Sequence, residues 1–161
     1  MSRGKYFDEL VVGDIYEHGV TRTVTETDNL LFTTLTHNTQ PLHLDEEFSK
    51  KTIHGGRVVN SLFTLSFVVG ISVSDLTLGT TQGNLGFEET TFPAPVRIGD
   101  TLRGLTEIVG KRESASRPDA GIVWFEHRGY NQRDELVVKT KRAGLMIKTE
   151  AGESIHERTL K

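Results

Sequence analysis

The chain contains no cysteine, which excludes disulfides, thiolate metal sites and cysteine nucleophiles together. It also lacks a long hydrophobic run. The most apolar stretch, Val58 to Val73, is interrupted by Asn60, Ser61, Thr64, Ser66, Gly70 and Ser72, and is too short to span a bilayer. No cluster of basic residues occurs, and a net charge of −3 leaves no electrostatic footprint for nucleic acid. The first residues, Met1-Ser2-Arg3-Gly4-Lys5-Tyr6-Phe7-Asp8, hold no apolar centre of a secretory signal, so a soluble, cytoplasmic protein is expected. No internal repeat, low-complexity tract or linker breaks the sequence. What is there is 161 residues with 35% hydrophobic content, enough for one modest core, and a single domain over residues 1–161 is expected.

Prolines are scarce, so each carries positional information: the four are Pro41, Pro93, Pro95 and Pro118. Alternation predicts a first strand over Ile15–Val24. Thr25 followed by Asp28 reads as a helix N-cap, after which Leu30, Leu31, Thr34 and Leu35 recur at helical spacing. Pro41 ends that helix, because it has no N–H and disfavours helical geometry at Gln40. Asp45–Lys51 reads as a short helical turn, and Gly55-Gly56 as a flexible lead into a helix from Arg57 to Ser74. That helix is apolar on nearly every face, so it belongs inside, wrapped by other elements. The wrapping is assigned to strands at Gly79–Thr91, Thr101–Glu113, Gly121–Asn131 and Leu136–Lys148, separated by turns at Pro93-Ala94-Pro95, Gly99-Asp100, Arg117-Pro118-Asp119 and Asn131–Asp134. One central helix followed by antiparallel strands predicts an α+β layered fold.

The stretch Asn38-Thr39-Gln40-Pro41-Leu42-His43-Leu44-Asp45 concentrates the candidate chemistry. A polar elbow with one histidine, facing the start of an apolar helix, can hold a water beside an electrophile. Histidine suits the role, because an unperturbed pKa of about 6.5 lets it take and return a proton near neutrality. Unpaired N–H groups at a helix start can meet a developing oxyanion, which makes the Ser61 N–H a candidate donor. Arg57 offers a fork for a second carboxylate, although a solvated arginine fits its place as well. Asp45 either orients His43 or, as the first of Asp45-Glu46-Glu47, supports a helix start. No repeated ligand spacing joins His37, His43 and His54, so no metal site is expected.

With these residues the chain resembles the MaoC-like hydratases, relatives of the (R)-specific enoyl-CoA hydratases, whose motif runs Asp-x-Asn-Pro-(Leu/Ile)-His. Here Asn38 stands where the motif has its catalytic Asp, and Gln40 where it has Asn. Ser61 and Asn60 stand where the family usually has Gly and His. The phrase Phe92-Pro93-Ala94-Pro95-Val96-Arg97-Ile98-Gly99-Asp100-Thr101 is similar to a Phe-x-x-Pro-Val-x-x-Gly-Asp-Thr phrase common in hot-dog enzymes, so the resemblance runs from about Tyr6 to about Lys148. It implies a hot-dog fold, a curved antiparallel sheet around a central apolar helix, and reversible hydration of a 2-enoyl-CoA. It also implies coenzyme A as the substrate handle, no other cofactor, and His43 and Asn38 as catalytic residues, with Gln40, Ser61, Arg57 and Asp45 around the substrate.

Two accounts of Asn38 stay open. In one, His43 shuttles the proton alone while the Asn38 amide orients the water. In the other, the site binds an acyl thioester without turning it over. The elbow is most similar to the mesaconyl-CoA hydratase (β-methylmalyl-CoA dehydratase) branch, which implies a short branched dicarboxylic substrate. A hot-dog thioesterase is the competing enzyme, and the stretch from Arg57 to Ser74 contains none of the Asp or Glu such enzymes place there. Since one hot-dog sheet has an open edge, a homodimer or higher homo-oligomer is expected.

Overall fold

Thr25 caps the first helix as its sequence predicts. Its hydroxyl accepts the Asp28 N–H at 3.2 Å while the Asp28 carboxylate accepts the Thr25 N–H at 2.8 Å, satisfying two donors reciprocally. The computed structural model describes residues 3–159 and runs this helix, α1, over Glu26–Leu35. Strands β1 (Ile15–Glu17) and β2 (Arg22–Thr23) precede it. Two four-residue helices follow, α2 (Pro41–Leu44) and α3 (Glu46–Ser49), and then the central helix α4 (Ser61–Ile71). The chain continues through β3 (Thr81–Thr91), β4 (Thr101–Glu113), β5 (Ala120–Tyr130), β6 (Leu136–Ile147) and α5 (Thr149–Thr159). All strand pairs are antiparallel, in the order β1-β4-β5-β6-β3, with β2 also paired to β4.

The long strands lie where the β-branched and aromatic runs put them, and β4 matches its expected range at both ends. Two expectations are corrected. The strand expected over Ile15–Val24 is two short strands, because His18 turns into the interior between them and its N–H donates to the Gly104 carbonyl at 3.1 Å. The central helix begins at Ser61 rather than Arg57. Val58 and Val59 lie outside the helix, their N–H groups donating to Leu42 O at 3.3 Å and Val96 O at 2.8 Å, and the Asn60 side chain then caps the helix by accepting Leu62 N–H at 3.0 Å. A further helix follows Lys148. Helix α5 returns to the N-terminal segment, with the Thr149 N–H on the Asp8 carboxylate at 2.8 Å and Gly152 against the Tyr6 ring.

Helix α4 lies directly on the sheet because the sheet offers glycines beneath it. A Cβ on Gly129 would fall 2.5 Å from a Val68 methyl, and one on Gly104 would fall 2.9 Å from Ile71 Cδ1. Thr64, Val68 and Ile71 are buried by this contact. The opposite side of the helix is not wrapped, with Leu62 52% exposed, and the edge strand β3 leaves Leu85 at 53% and Phe87 at 44% exposed. A single sheet can cover only one side of a helix that is apolar all round. Among the described residues no helix is long and apolar enough to cross a membrane.

The sheet face under α4 carries two apolar clusters, one around Phe7, Ile108, Phe125 and Met146, the other around Val24, Val68, Leu102 and Val138. A polar strip runs between them. Arg142 Nε–H donates to His127 Nε2 at 3.3 Å, so the neutral His127 carries its proton on Nδ1 and donates to Thr106 Oγ1 at 2.8 Å. The Thr106 hydroxyl then donates to His18 Nε2 at 2.8 Å, and His18 Nδ1–H to the Asp75 carboxylate at 2.7 Å. Each member leaves its neighbour one possible role, so the chain of bonds has a single direction. It ties β6, β5 and β4 to the turn after α4.

Candidate active site

The elbow is built by how α1 ends. His37 sits at φ 53°, the left-handed position usually given to glycine. Its N–H donates to Thr34 O at 3.1 Å and the Asn38 N–H to Thr33 O at 3.0 Å, the paired bonds of a Schellman closure. The Asn38 side-chain oxygen then accepts the Gln40 N–H at 3.1 Å, a turn that delivers Pro41 to the first position of α2. The expectation that Pro41 ends α1 is corrected: the closure at His37 ends that helix at Leu35, and Pro41 starts the next one.

His43 lies on α2, half-buried, and its Nδ1 donates to the Val58 carbonyl at 2.9 Å. A carbonyl can only accept, so neutral His43 carries its hydrogen on Nδ1 and leaves Nε2 as a base. The same two segments are joined by the Val58 N–H on Leu42 O at 3.3 Å. His43 lines a cavity of about 310 Å³ with Leu42, His54, Val58, Ser61 and Thr64 on one side. Phe92 to Val96 and Val137 form the other. The prolines of the Phe92–Val96 segment leave it outside the ladder, and the Val59 N–H on Val96 O at 2.8 Å holds it against the lead-in to α4. Asp100 supports this wall from behind: its carboxylate accepts the Arg97 N–H at 2.8 Å, Gln132 Nε2 at 2.7 Å and Arg133 at 3.0 Å. The Gly-Asp-Thr phrase is thus a structural hub.

In the first turn of α4 the Leu62 N–H is taken by the Asn60 side chain and the Phe63 N–H by Asn60 O at 3.0 Å. Among the described hydrogen bonds the Ser61 N–H has no acceptor, which leaves it as the free donor of a helix N-terminus. One turn on, the Thr64 hydroxyl is buried in the cavity wall with no partner among the described residues.

The structure brings His43 and Ser61 into one cavity and places the other candidates outside its wall. Asn38 is held by its turn and does not line the cavity. Gln40 is exposed and precedes α2. Arg57 has its guanidinium on Glu26, at 2.6 and 2.9 Å, and on Glu46 at 3.2 Å, at the surface beside Arg97. Asp45 is the N-cap of α3, its side chain accepting the Phe48 N–H at 2.9 Å. Sequence reasoning missed the Val58 carbonyl, Thr64 and His54 as parts of this wall. The carbonyl has no residue-type signature at all. Thr64 had one, since it stands three residues after Ser61 on the same helix face.

A curved antiparallel sheet with one apolar helix against it defines an α+β hot-dog protein, with a histidine elbow at that helix's start. Residues 9–127 match the MaoC like domain, and the chain belongs to that family. It is similar to mesaconyl-CoA hydratase of Cereibacter sphaeroides, 32% identical over 139 residues, which cover 86% of this chain and 40% of that protein. The chain therefore spans less than half the length of this relative. It is also similar to the (R)-specific enoyl-CoA hydratase of Rhodospirillum rubrum, 28% identical over 109 residues, covering 65% of this chain and 70% of that one. A solved structure named a monoamine oxidase regulatory protein, from Archaeoglobus fulgius, superposes with a TM-score of 0.83 at 34% identity, over 92% of this chain and 97% of that one.

Proposed function

We propose that this site adds water reversibly across the double bond of a 2-enoyl-coenzyme A thioester, giving a 3-hydroxyacyl thioester. The observation that carries the reading is the His43 ring, whose Nδ1 is committed to the Val58 carbonyl while Nε2 stays free on a residue that lines the cavity. A water bonded to Nε2 loses its proton as its oxygen adds to Cβ. The electron pair of the double bond moves to the thioester oxygen, where the Ser61 N–H is the available donor. The imidazolium then returns a proton to Cα, and the balance closes without a metal or redox group. Coenzyme A acts as the handle of the substrate. With Asn38 outside the wall, His43 takes both proton-transfer steps. The names of the similar hydratases support the same reaction class.

The walls argue for a short, largely apolar acyl group. Among the described residues the cavity is lined by no Arg or Lys, and Arg57 is held by two carboxylates. A dicarboxylic group such as mesaconyl is the second reading, favoured by the elbow Asn38–His43 and by the 32% identity to mesaconyl-CoA hydratase. Purified protein mixed with crotonyl-CoA and with mesaconyl-CoA decides between them through loss of the enoyl absorbance. Crotonyl-CoA is expected to be consumed faster. Binding of both without turnover would replace this reading with that of a non-catalytic acyl-thioester-binding protein, and release of free coenzyme A would replace it with a thioesterase.

The partner we propose is a second copy of the chain. Strand β3 is a sheet edge with Leu85 and Phe87 exposed, and such an edge invites pairing with an identical one. Placing charge there, as Leu85→Asp with Phe87→Asp, is expected to turn a dimer into a monomer in sedimentation and to lower hydratase activity with it. A wild-type chain that is monomeric and fully active at low concentration would sink this assembly.

A further inference from the structure

Asn29 stands on α1, behind the cavity rather than in its wall. Its side chain is fully buried, and both ends of the amide are engaged. Nδ2 donates to the His43 carbonyl at 2.9 Å, and Oδ1 accepts the Asn60 N–H at 3.0 Å. These partners are not arbitrary backbone. His43 carries the free ring nitrogen, and Asn60 is the cap directly before Ser61, whose N–H is the free donor of α4. One planar amide therefore spans the two halves of the site, the base and the oxyanion donor.

Two more bonds close the frame. The Val58 N–H reaches Leu42 O at 3.3 Å, and the His43 ring reaches Val58 O at 2.9 Å. Both join the elbow to the lead-in of α4, and the first of them is long. The Asn29 bridge adds a third tie from a different element, so the elbow and the helix start are fixed to α1 as well as to each other. Addition of water to a double bond needs the base and the oxyanion donor held at a set separation, and small misplacements are costly.

We propose that Asn29 is a positioning residue of the hydration site, setting the geometry between His43 and the first turn of α4. The role rests on the hydratase reading above. A carboxamide is the side chain the position requires, because one rigid group donates from one atom and accepts on the other. Leucine keeps the approximate volume and loses both bonds. Aspartate keeps the acceptor for the Asn60 N–H, but when ionised it sets an oxygen against the His43 carbonyl. When protonated it donates there as the amide does.

The test uses Asn29→Leu and Asn29→Asp in the full chain with crotonyl-CoA and mesaconyl-CoA. Both variants are expected to lose roughly tenfold to a hundredfold in kcat, with KM moved by less than about threefold. Burial against the His43 carbonyl raises the carboxyl pKa of the aspartate variant, so as the pH is lowered from about 8 to about 5 its ratio to wild type is expected to rise while the leucine ratio stays flat. A merely structural role gives no such divergence. A second readout needs no substrate: nitrogen NMR of His43 is expected to show one tautomer, protonated on Nδ1, in wild type and a mixture in both variants. If wild type hydrates neither thioester, the hydratase reading fails and the tautomer measurement alone decides the role of Asn29. If the leucine variant does not fold, the near-isosteric aspartate variant decides. Wild-type kcat in a folded variant, an aspartate ratio flat with pH, or an undisturbed His43 tautomer overturns the proposal.

Discussion

Replacing His43 by alanine is expected to lower turnover of the enoyl thioester by roughly a hundredfold or more, with the chain still folded. That factor corresponds to about 3 kcal/mol of barrier, the scale of one lost acid–base group. The expectation follows from the inventory of the cavity. Its described lining holds two titratable side chains, His43 and His54, and His43 is the one whose tautomer is set by a backbone carbonyl. No carboxylate lines the wall to take over the proton. Folding is expected to survive because the ring is only half-buried and makes one hydrogen bond. Progress curves with crotonyl-CoA, alongside circular dichroism of the variant, check both halves. An unchanged rate removes His43 from the mechanism and directs attention to His54.

A second large effect is expected from acid, through the strip beneath α4. Burial, with the Arg142 guanidinium and then His18 adding to it, pushes His127 down to about 3. Protonating His127 would set a new N–H against the Arg142 N–H in a site closed to water. In the unfolded chain His127 titrates near its ordinary value of about 6.5. A depressed folded pKa contributes stability that is fully present above about pH 6.5 and is lost as the pH falls from there toward about 3. Within that window the loss approaches about 1.4 kcal/mol per pH unit. Urea unfolding between about pH 7 and pH 5 should therefore show a steep fall in stability, and His127→Gln should flatten it. The interval from pH 7 to pH 5 lies above the range in which Glu9 contributes: held down to about 2 chiefly by its hydrogen bonds from Arg3, it loses its share only below about pH 4.5. Equal slopes in wild type and variant would show that His127 is not the group responsible.

Much of the fold was legible from local signals. Thr25 and Asp28 announced the start of α1, and alternation with turn residues announced β3 to β6, because caps, turns and strand periodicity depend on neighbours within a few residues. The early strand misled. Ile15 to Val24 alternates well, yet His18 is drawn inward by Asp75 and Thr106, partners far along the chain. The start of α4 misled because Val58 and Val59 continue its apolar run, although β-branched side chains favour strand geometry and their backbone bonds to Leu42 and Val96 keep them out of the helix.

The site divided along the same line. By itself the sequence determined that a histidine follows a proline elbow, that an apolar helix comes next, and that no cysteine chemistry is available, since these depend only on residue type and order. Tertiary structure decided which of the neighbouring polar residues face the cavity. Asn38, Gln40, Asp45 and Arg57 are close to His43 or Ser61 in sequence, yet their side chains or backbone are claimed by a turn, two caps and a pair of glutamates. Asn29, fourteen residues before His43, is bonded to it instead. Hydrogen-bonding groups buried on folding must find partners wherever the packing supplies them, so the chain's packing, and not its order, sets which amide supports the base and which is left in a turn.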